Sequence, residues 1–294
     1  MSRVPTKASD GAILLNIGCG SRFHRSWNNV DFGSSDPSVI AHDLTQGIPF
    51  RDCSFDAVYS AHFVEHVDRA VARFILRECF RVLKTGGRLR IVVPDLEYAS
   101  TLYLESLRGV LSRETEISRE HYEWAVLNLI DQMVRDRGGG EMLEFLRKPL
   151  HDEAFVVSNG GGADVGQFRR SSRNDPGRRK SMGEKLRAVA GLRAATRAIR
   201  SRALRYAPRW LARRAFMQSG ERHRWMYDRY SVARLLEDAG FGAIRFHEAH
   251  TSDISRFAEY GLDLTPDGAV NKPHSLYVEA LKPALGEYRA ARAG

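Results

Sequence analysis

Short apolar runs, each closed by glycine or an acidic residue, open the chain. Residues 12–17, Ala-Ile-Leu-Leu-Asn-Ile, end in Gly18-Cys19-Gly20, the pattern of a buried strand entering a glycine turn. Residues 27–32 and 39–44 predict a second and a third strand, ending near Asp31 and Asp43. Arg51-Asp52-Cys53-Ser54 reads as a turn before a fourth strand over 55–60. Over 67–83 the apolar residues Val71, Phe74, Ile75, Cys79, Val82 and Leu83 follow helical spacing. Gly86-Gly87 stands where a C-terminal glycine stop is expected, and 88–93 predicts a fifth strand closed by Pro94-Asp95.

The rhythm then changes. Helical patterns occupy 98–111 and 119–135, and two glycine clusters follow at 138–140 and 160–162. Residues 158–183 are polar and rich in Gly, Ser and Arg, the composition of a mobile loop. Over 185–206, Leu186, Val189, Leu192, Thr196, Ile199, Ala203 and Tyr206 share one helical face, with most arginines off it. Residues 231–239 predict a helix stopped by Gly240, and strands are expected over 243–247 and 275–281. Alternating strands and crossovers imply an α/β fold with a mostly parallel sheet. In such sheets ligands bind at the carboxyl ends of the strands, where these glycines and acids fall. The expected organisation is a ligand-binding half over 1–95, a helical, partly mobile basic insert or lid over 96–225, and a return to the α/β domain over 226–294.

Composition narrows the function classes. The chain has 294 residues, 43% hydrophobic, and no apolar run near the roughly 20 residues of a membrane span. The N-terminal residues lack the apolar region of a secretory signal. The three cysteines, Cys19, Cys53 and Cys79, form no CxxC pair, which suits a reducing, cytoplasmic setting. The net charge of +9 is concentrated: residues 169–214 carry 16 Lys/Arg against Asp175 and Glu184, so the remainder is net acidic. That asymmetry points the basic segment at an anionic partner. With its apolar and Arg faces separated, 185–214 reads as a lid helix or a peripheral contact with the inner membrane face. Few aromatics lie among the arginines, which argues against nucleic acid.

Asn16-Ile17-Gly18-Cys19-Gly20 resembles the glycine motif of class I S-adenosylmethionine-dependent methyltransferases. Further features match in order: Asp31, His42-Asp43-Leu44, Ile48-Pro49-Phe50 leading into Ser54-Phe55-Asp56-Ala57-Val58, Glu65-His66, Arg81 to Gly87, and Leu235 to Phe241. The resemblance covers residues 12–95 and 228–282 and is closest to type 11-like members, including those of bacterial surface-polysaccharide synthesis. It implies a Rossmann-like, seven-stranded sheet with the helical insert between strands five and six. It also implies S-adenosylmethionine as cofactor, held by Asn16, Gly18, Cys19, Gly20, Asp31, Asp43, Leu44 and Ser60. Glycine lets the backbone turn tightly against the methionine moiety. Asp31 is an acceptor-only group suited to both ribose hydroxyls, and Asp43 or its adjacent backbone to the adenine edge. Family members usually carry an acid where Asn16 stands, so this chain lacks one charge for the cofactor's ammonium group. Asp31 follows the glycines so closely that the first crossover helix must be brief or absent.

Methyl transfer requires alignment and, for a hydroxyl acceptor, a base. His66, His62 and Asp95 are the catalytic candidates; His151, a further candidate base, joins His223, Trp225 and Tyr227 as candidates for acceptor binding, aromatic faces being suited to sugars. His62-Phe63-Val64-Glu65-His66 also matches the pattern of inverted zinc proteases. That chemistry needs a long helix and a third ligand, whereas these residues leave a strand, so no metal is expected. Nicotinamide binding is disfavoured because Gly-Cys-Gly-Ser-Arg lacks the third glycine of the dinucleotide fingerprint. The expected activity is O-methylation of a saccharide or lipid-linked saccharide. A nucleic-acid or lipophilic-molecule methyltransferase and a non-catalytic scaffold retaining the fold are the alternatives; oligomeric state is not encoded in any motif.

Overall fold

The computed structural model describes residues 3–160 except Ser9 and Ser35, residues 220–284, and Val165, Gly166, Phe168, Arg169 and Phe216. The polar segment 158–183 lies largely, and the Arg-rich segment 185–214 entirely, outside the described residues. The chain divides into two compact units, residues 1–98 with 224–294, and residues 99–223.

The first unit holds a seven-stranded sheet of β1 (Leu14–Ile17), β2 (Asn28–Asp31), β3 (Val39–Ala41), β4 (Phe55–Ala61), β5 (Leu83–Pro94), β6 (Gly242–His247) and β7 (Ser275–Leu281). The strand order is β3-β2-β1-β4-β5-β7-β6. The first five strands run parallel, and β7 lies antiparallel between β5 and β6. This is the expected seven-stranded class I methyltransferase arrangement, built from the expected strands. No helix separates β1 from β2, as the short spacing requires.

Alternation along the strands sends successive side chains to opposite faces. Leu15, Ile17, Val58, Leu89, Ile91, Val93, Leu276 and Val278 form one apolar face with Ile75, Leu76 and Cys79 of α1 (Arg69–Val82). Leu14, Tyr59, Val92 and Tyr277 point the other way, onto Trp27, Ile254, Phe257 and Leu262. Burial of both faces explains why these strands read as continuous apolar runs.

Gly86-Gly87 does not stop α1. The helix ends at Val82, where Leu83 turns to extended backbone (φ −71°, ψ 141°) and donates its N–H to Cys79 O. Leu83 is fully buried, and its backbone pairs with Phe55. The glycines therefore lie inside β5, where a Cβ on Gly87 would crowd Asp56 O at 3.1 Å. Gly240 does end its helix in the left-handed conformation at φ +105°.

The second unit takes in α2 (Leu96–Ser112) from residue 99, α3 (Glu116–Val126), α4 (Gly140–Phe145) and α5 (Glu153–Ser158). In the chain it falls between β5 and β6. The helix expected over 119–135 starts earlier, at a Thr115–Ser118 capping box, and passes through a π-helical turn at Leu127–Asp131 before ending at Val134. Trp124, Leu127, Phe145, Leu146 and Val156 form its core. Among the described residues no helix is long and apolar enough to cross a membrane.

Candidate active site

The carboxyl ends of β1, β2, β3 and β4 bring the expected cofactor residues to one edge of the sheet. Gly18 and Gly20 adopt φ +62° and +53°, a region that disfavours other residues. A Cβ on Gly18 would overlap the Phe63 ring, whereas one on Gly20 would meet nothing within 4 Å. Gly18 thus admits a neighbouring side chain, and Gly20 leaves open space. Asp31 Oδ2 accepts the Gly20 N–H at 2.9 Å, so the end of β2 fixes the turn after β1. Cys19 is buried, and burial with the nearby Asp31 charge pushes its thiol up to about 12; it stays protonated.

Asn16 is buried, donating Nδ2 to Arg22 O (3.3 Å) and Asn29 Oδ1 (3.4 Å). Its Oδ1 and the Ser60 hydroxyl are buried without a hydrogen-bond partner. Unpaired buried polar atoms are costly, and a polar ligand at this edge would satisfy them. The residues present therefore fit a cofactor carrying an amino group and hydroxyls. Asp43 is more committed than the sequence suggests. It caps the short turn Leu44–Gln46, accepting Thr45 N–H (3.0 Å) and Thr45 Oγ1–H (2.7 Å), and these bonds hold its carboxyl below the usual range. Leu44 is buried in the apolar core.

At the end of β4 the chain makes a left-handed step at His62 (φ +50°), uncommon for a residue other than glycine. His62 Nδ1 lies 3.3 Å from Glu65 Oε1, and its Nε2 lies 3.0 Å from Ser275 Oγ at the start of β7. Glu65 is fully buried, neither carboxylate oxygen has a hydrogen bond within the usual limits, and desolvation pushes its carboxyl up to about 8. Its backbone carbonyl accepts the Arg224 and Trp225 N–H groups. His66 Nε2 stands 4.0 Å from the same Glu65 oxygen. The His62–His66 segment is a strand end followed by a single 3₁₀ turn, Val64–His66, and has no zinc-protease helix. His274, also left-handed (φ +57°), stacks on Tyr98 at 3.9 Å. Asp95, at the end of β5, accepts the Glu97 N–H at 2.8 Å as the chain enters α2; partial burial raises its carboxyl.

The proposed acceptor residues are divided between the two units. Trp225 is exposed, with Arg69 over its ring at 4.6 Å. The Tyr227 ring is buried in the core with Leu235 and Val232, so it has no face to offer a sugar. Only its hydroxyl, unpaired and buried, remains available. His151 and His223 belong to the second unit. His151 is exposed 3.6 Å from Glu116, and His223 is buried with its N–H on Gln132 O.

Sequence reasoning misses Glu65, Ser275 and His274 as site residues. The Glu65-His66 pair is visible as a motif, but the burial of its acid is not written in spacing. Ser275 lies 213 residues from His62 along the chain, and no local pattern joins them.

Residues 15–91 match the family described as a methyltransferase domain. S-adenosylmethionine is the cofactor indicated for this domain. Among solved structures, an S-adenosylmethionine-dependent methyltransferase of Methanosarcina mazei is 14% identical, with 92% of each chain covered and a TM-score of 0.37. One from Thermotoga maritima is 11% identical over 92% of this chain and 82% of its own, with a TM-score of 0.36. The N-methyltransferase NodS of Bradyrhizobium japonicum, solved with S-adenosyl-L-homocysteine, is 18% identical over 30% of this chain and 56% of its own, with a TM-score of 0.24. No curated protein matches the chain in sequence.

Proposed function

We propose that the protein is an S-adenosylmethionine-dependent methyltransferase that O-methylates a saccharide or lipid-linked saccharide, with His62 as the base. One observation carries the reading. A histidine at the carboxyl end of β4 is held between a buried acid and a serine hydroxyl, 3.3 Å and 3.0 Å from its two ring nitrogens. A hydroxyl acceptor must lose its proton as it is methylated, and an oriented imidazole suits that task.

Bound S-adenosylmethionine supplies an electrophilic methyl group on a sulfonium that leaves as S-adenosylhomocysteine. Asn16 Oδ1, the Gly18-to-Gly20 turn, Asp31 and Ser60 would hold it, with Cys19 and the Asp43-Leu44 backbone beside it. Once ionised, Glu65 at 3.3 Å would favour the His62 tautomer with its proton on Nδ1 and the lone pair on Nε2. Ser275 Oγ demonstrates that an oxygen fits 3.0 Å from Nε2. Rotation about the Ser275 Cα–Cβ bond would move that oxygen aside and free the place for the acceptor. The acceptor proton passes to Nε2 as the new O–CH₃ bond forms. His66, whose Nε2 lies 4.0 Å from the same Glu65 oxygen, and Asp95, just after β5, are the lesser candidates.

Incubation with methyl-labelled S-adenosylmethionine and a panel of nucleotide- and lipid-linked sugars tests the reading, with the product identified by a mass gain of one methylene. His62→Gln should retain S-adenosylhomocysteine binding and lower turnover by about 10²–10⁴-fold. Methylation of amines alone, or undiminished turnover in the variant, would overturn it.

A further inference from the structure

Beside the site, the start of α1 and one side of α6 (Arg229–Ala239) border a cleft of about 240 Å³. Its charge is uneven. Arg234 is neutralised by Glu237 at 2.8 Å and by Asp238, itself a lining residue, at 3.9 Å. Arg69 and Arg73, one helical turn apart on α1, are both exposed and lie in no ion pair among the described residues. Arg69 is instead spread over the Trp225 ring. Tyr227 lines the same cleft, and its hydroxyl is buried without a partner. Two unneutralised guanidinium groups and a tyrosine with an unsatisfied phenol thus line one space large enough for a small tetrahedral anion.

We propose that this cleft binds a phosphoryl group of the acceptor, through Arg69, Arg73 and the Tyr227 hydroxyl. A phosphoryl group offers three acceptor oxygens to these three donors, and guanidinium forks match its geometry. Burial pushes the Tyr227 phenol up to about 12, so it stays a donor at neutral pH. The exposed ring of Tyr230, at the same rim, offers a face to the attached sugar. The inference deepens the reading of the protein as a saccharide methyltransferase: the acceptor would be a sugar carrying phosphate.

Calorimetric titration of the full chain with glucose 1-phosphate, uridine diphosphate glucose and uncharged methyl glucoside tests it. The two phosphorylated probes should bind and methyl glucoside should not. Arg73→Ala should weaken phosphate-sugar binding at least 10-fold, Tyr227→Phe several-fold, and affinity should fall with added salt. A polyprenyl diphosphate sugar, tighter or weaker than the uridine probe, tells a lipid-linked source from a nucleotide one. Arg73 is exposed, so its variant should unfold at the wild-type temperature. Equal affinity in wild type and Arg73→Ala would mean adventitious ion binding only and would overturn the site. Titration of the same samples with S-adenosylhomocysteine separates the two ideas. Cofactor binding and transfer to neutral sugars without phosphate binding sinks the subsite alone, and phosphate binding without cofactor binding sinks the methyltransferase reading.

Discussion

His62 Nδ1 stands 3.3 Å from an oxygen of Glu65, a carboxyl that the fold has removed from water altogether. The base form of His62 requires Glu65 ionised, whereas burial holds its carboxyl up at about 8. Turnover with a hydroxyl acceptor should therefore rise with pH through about 8. In Glu65→Gln that limb should disappear, and the plateau rate should fall about 10–100-fold. A pH–rate profile of kcat/KM for both proteins decides this, and an unchanged limb in the variant would remove Glu65 from the mechanism.

The same carboxyl makes stability depend on pH. Its folded value of about 8 lies above the ordinary value of 4.5, so the folded state binds the extra proton between these limits. Its contribution is intact below about 4.5 and declines as pH rises toward 8, by up to roughly 1.4 kcal/mol per unit. Glu65→Gln cannot ionise and should gain stability relative to wild type between pH 5 and pH 8. Urea unfolding at those two values reads the crossover; parallel curves would mean that the buried acid is neutralised by a partner.

Substitution at the two turn glycines should separate packing from binding. Gly18→Ala combines a left-handed φ of +62° with overlap on Phe63 and should cost about 1–3 kcal/mol. Gly20→Ala meets no atom within 4 Å and should cost only the backbone term, about 1 kcal/mol. If the space above Gly20 takes the cofactor, its variant should lose S-adenosylhomocysteine affinity well beyond its loss of stability. Phe63→Ala should partly rescue Gly18→Ala and leave Gly20→Ala unchanged, a cycle measured by thermal unfolding.

Arg90 crosses the second face of the sheet fully buried, with Asp263 at 2.8 Å and Glu279 at 2.7 Å. Tyr59 also donates to Asp263, at 2.5 Å. Arg90→Met strands two buried carboxylates and should destabilise the fold by about 3–5 kcal/mol. Arg90→Met with Asp263→Asn and Glu279→Gln should recover much of that. Chemical denaturation of wild type and both variants checks it, and a loss below about 1 kcal/mol in the single variant would contradict the burial argument.

What could be read from the sequence followed the range of the interaction. The strands, the Gly240 stop and the lack of a helix between β1 and β2 all rest on neighbours within a few residues, and the fold has each of them. Gly86-Gly87 misled because a glycine stop is a local signature, whereas Leu83 is drawn into a strand by Phe55 and the core. Tyr227 looked like a platform in its polar neighbourhood, but the pattern of one segment does not reveal which ring the sheet will cover. The Arg90 network was invisible for the same reason, its partners lying 173 and 189 residues away. The glycine turn and Asp31 could be located from spacing; the Glu65–His62–Ser275 arrangement needed the folded edge of the sheet.

The placing of β7 sets a schedule for biosynthesis. β5 is complete at Pro94, yet the strand that covers its free edge begins at Ser275. At about 5–20 residues per second, a ribosome takes on the order of ten seconds or more to deliver it. Throughout that interval a 12-residue strand containing Ile91, Val92 and Val93 presents an unpaired edge to every neighbouring nascent chain. Chains stalled before residue 275 should therefore aggregate more readily than the full chain.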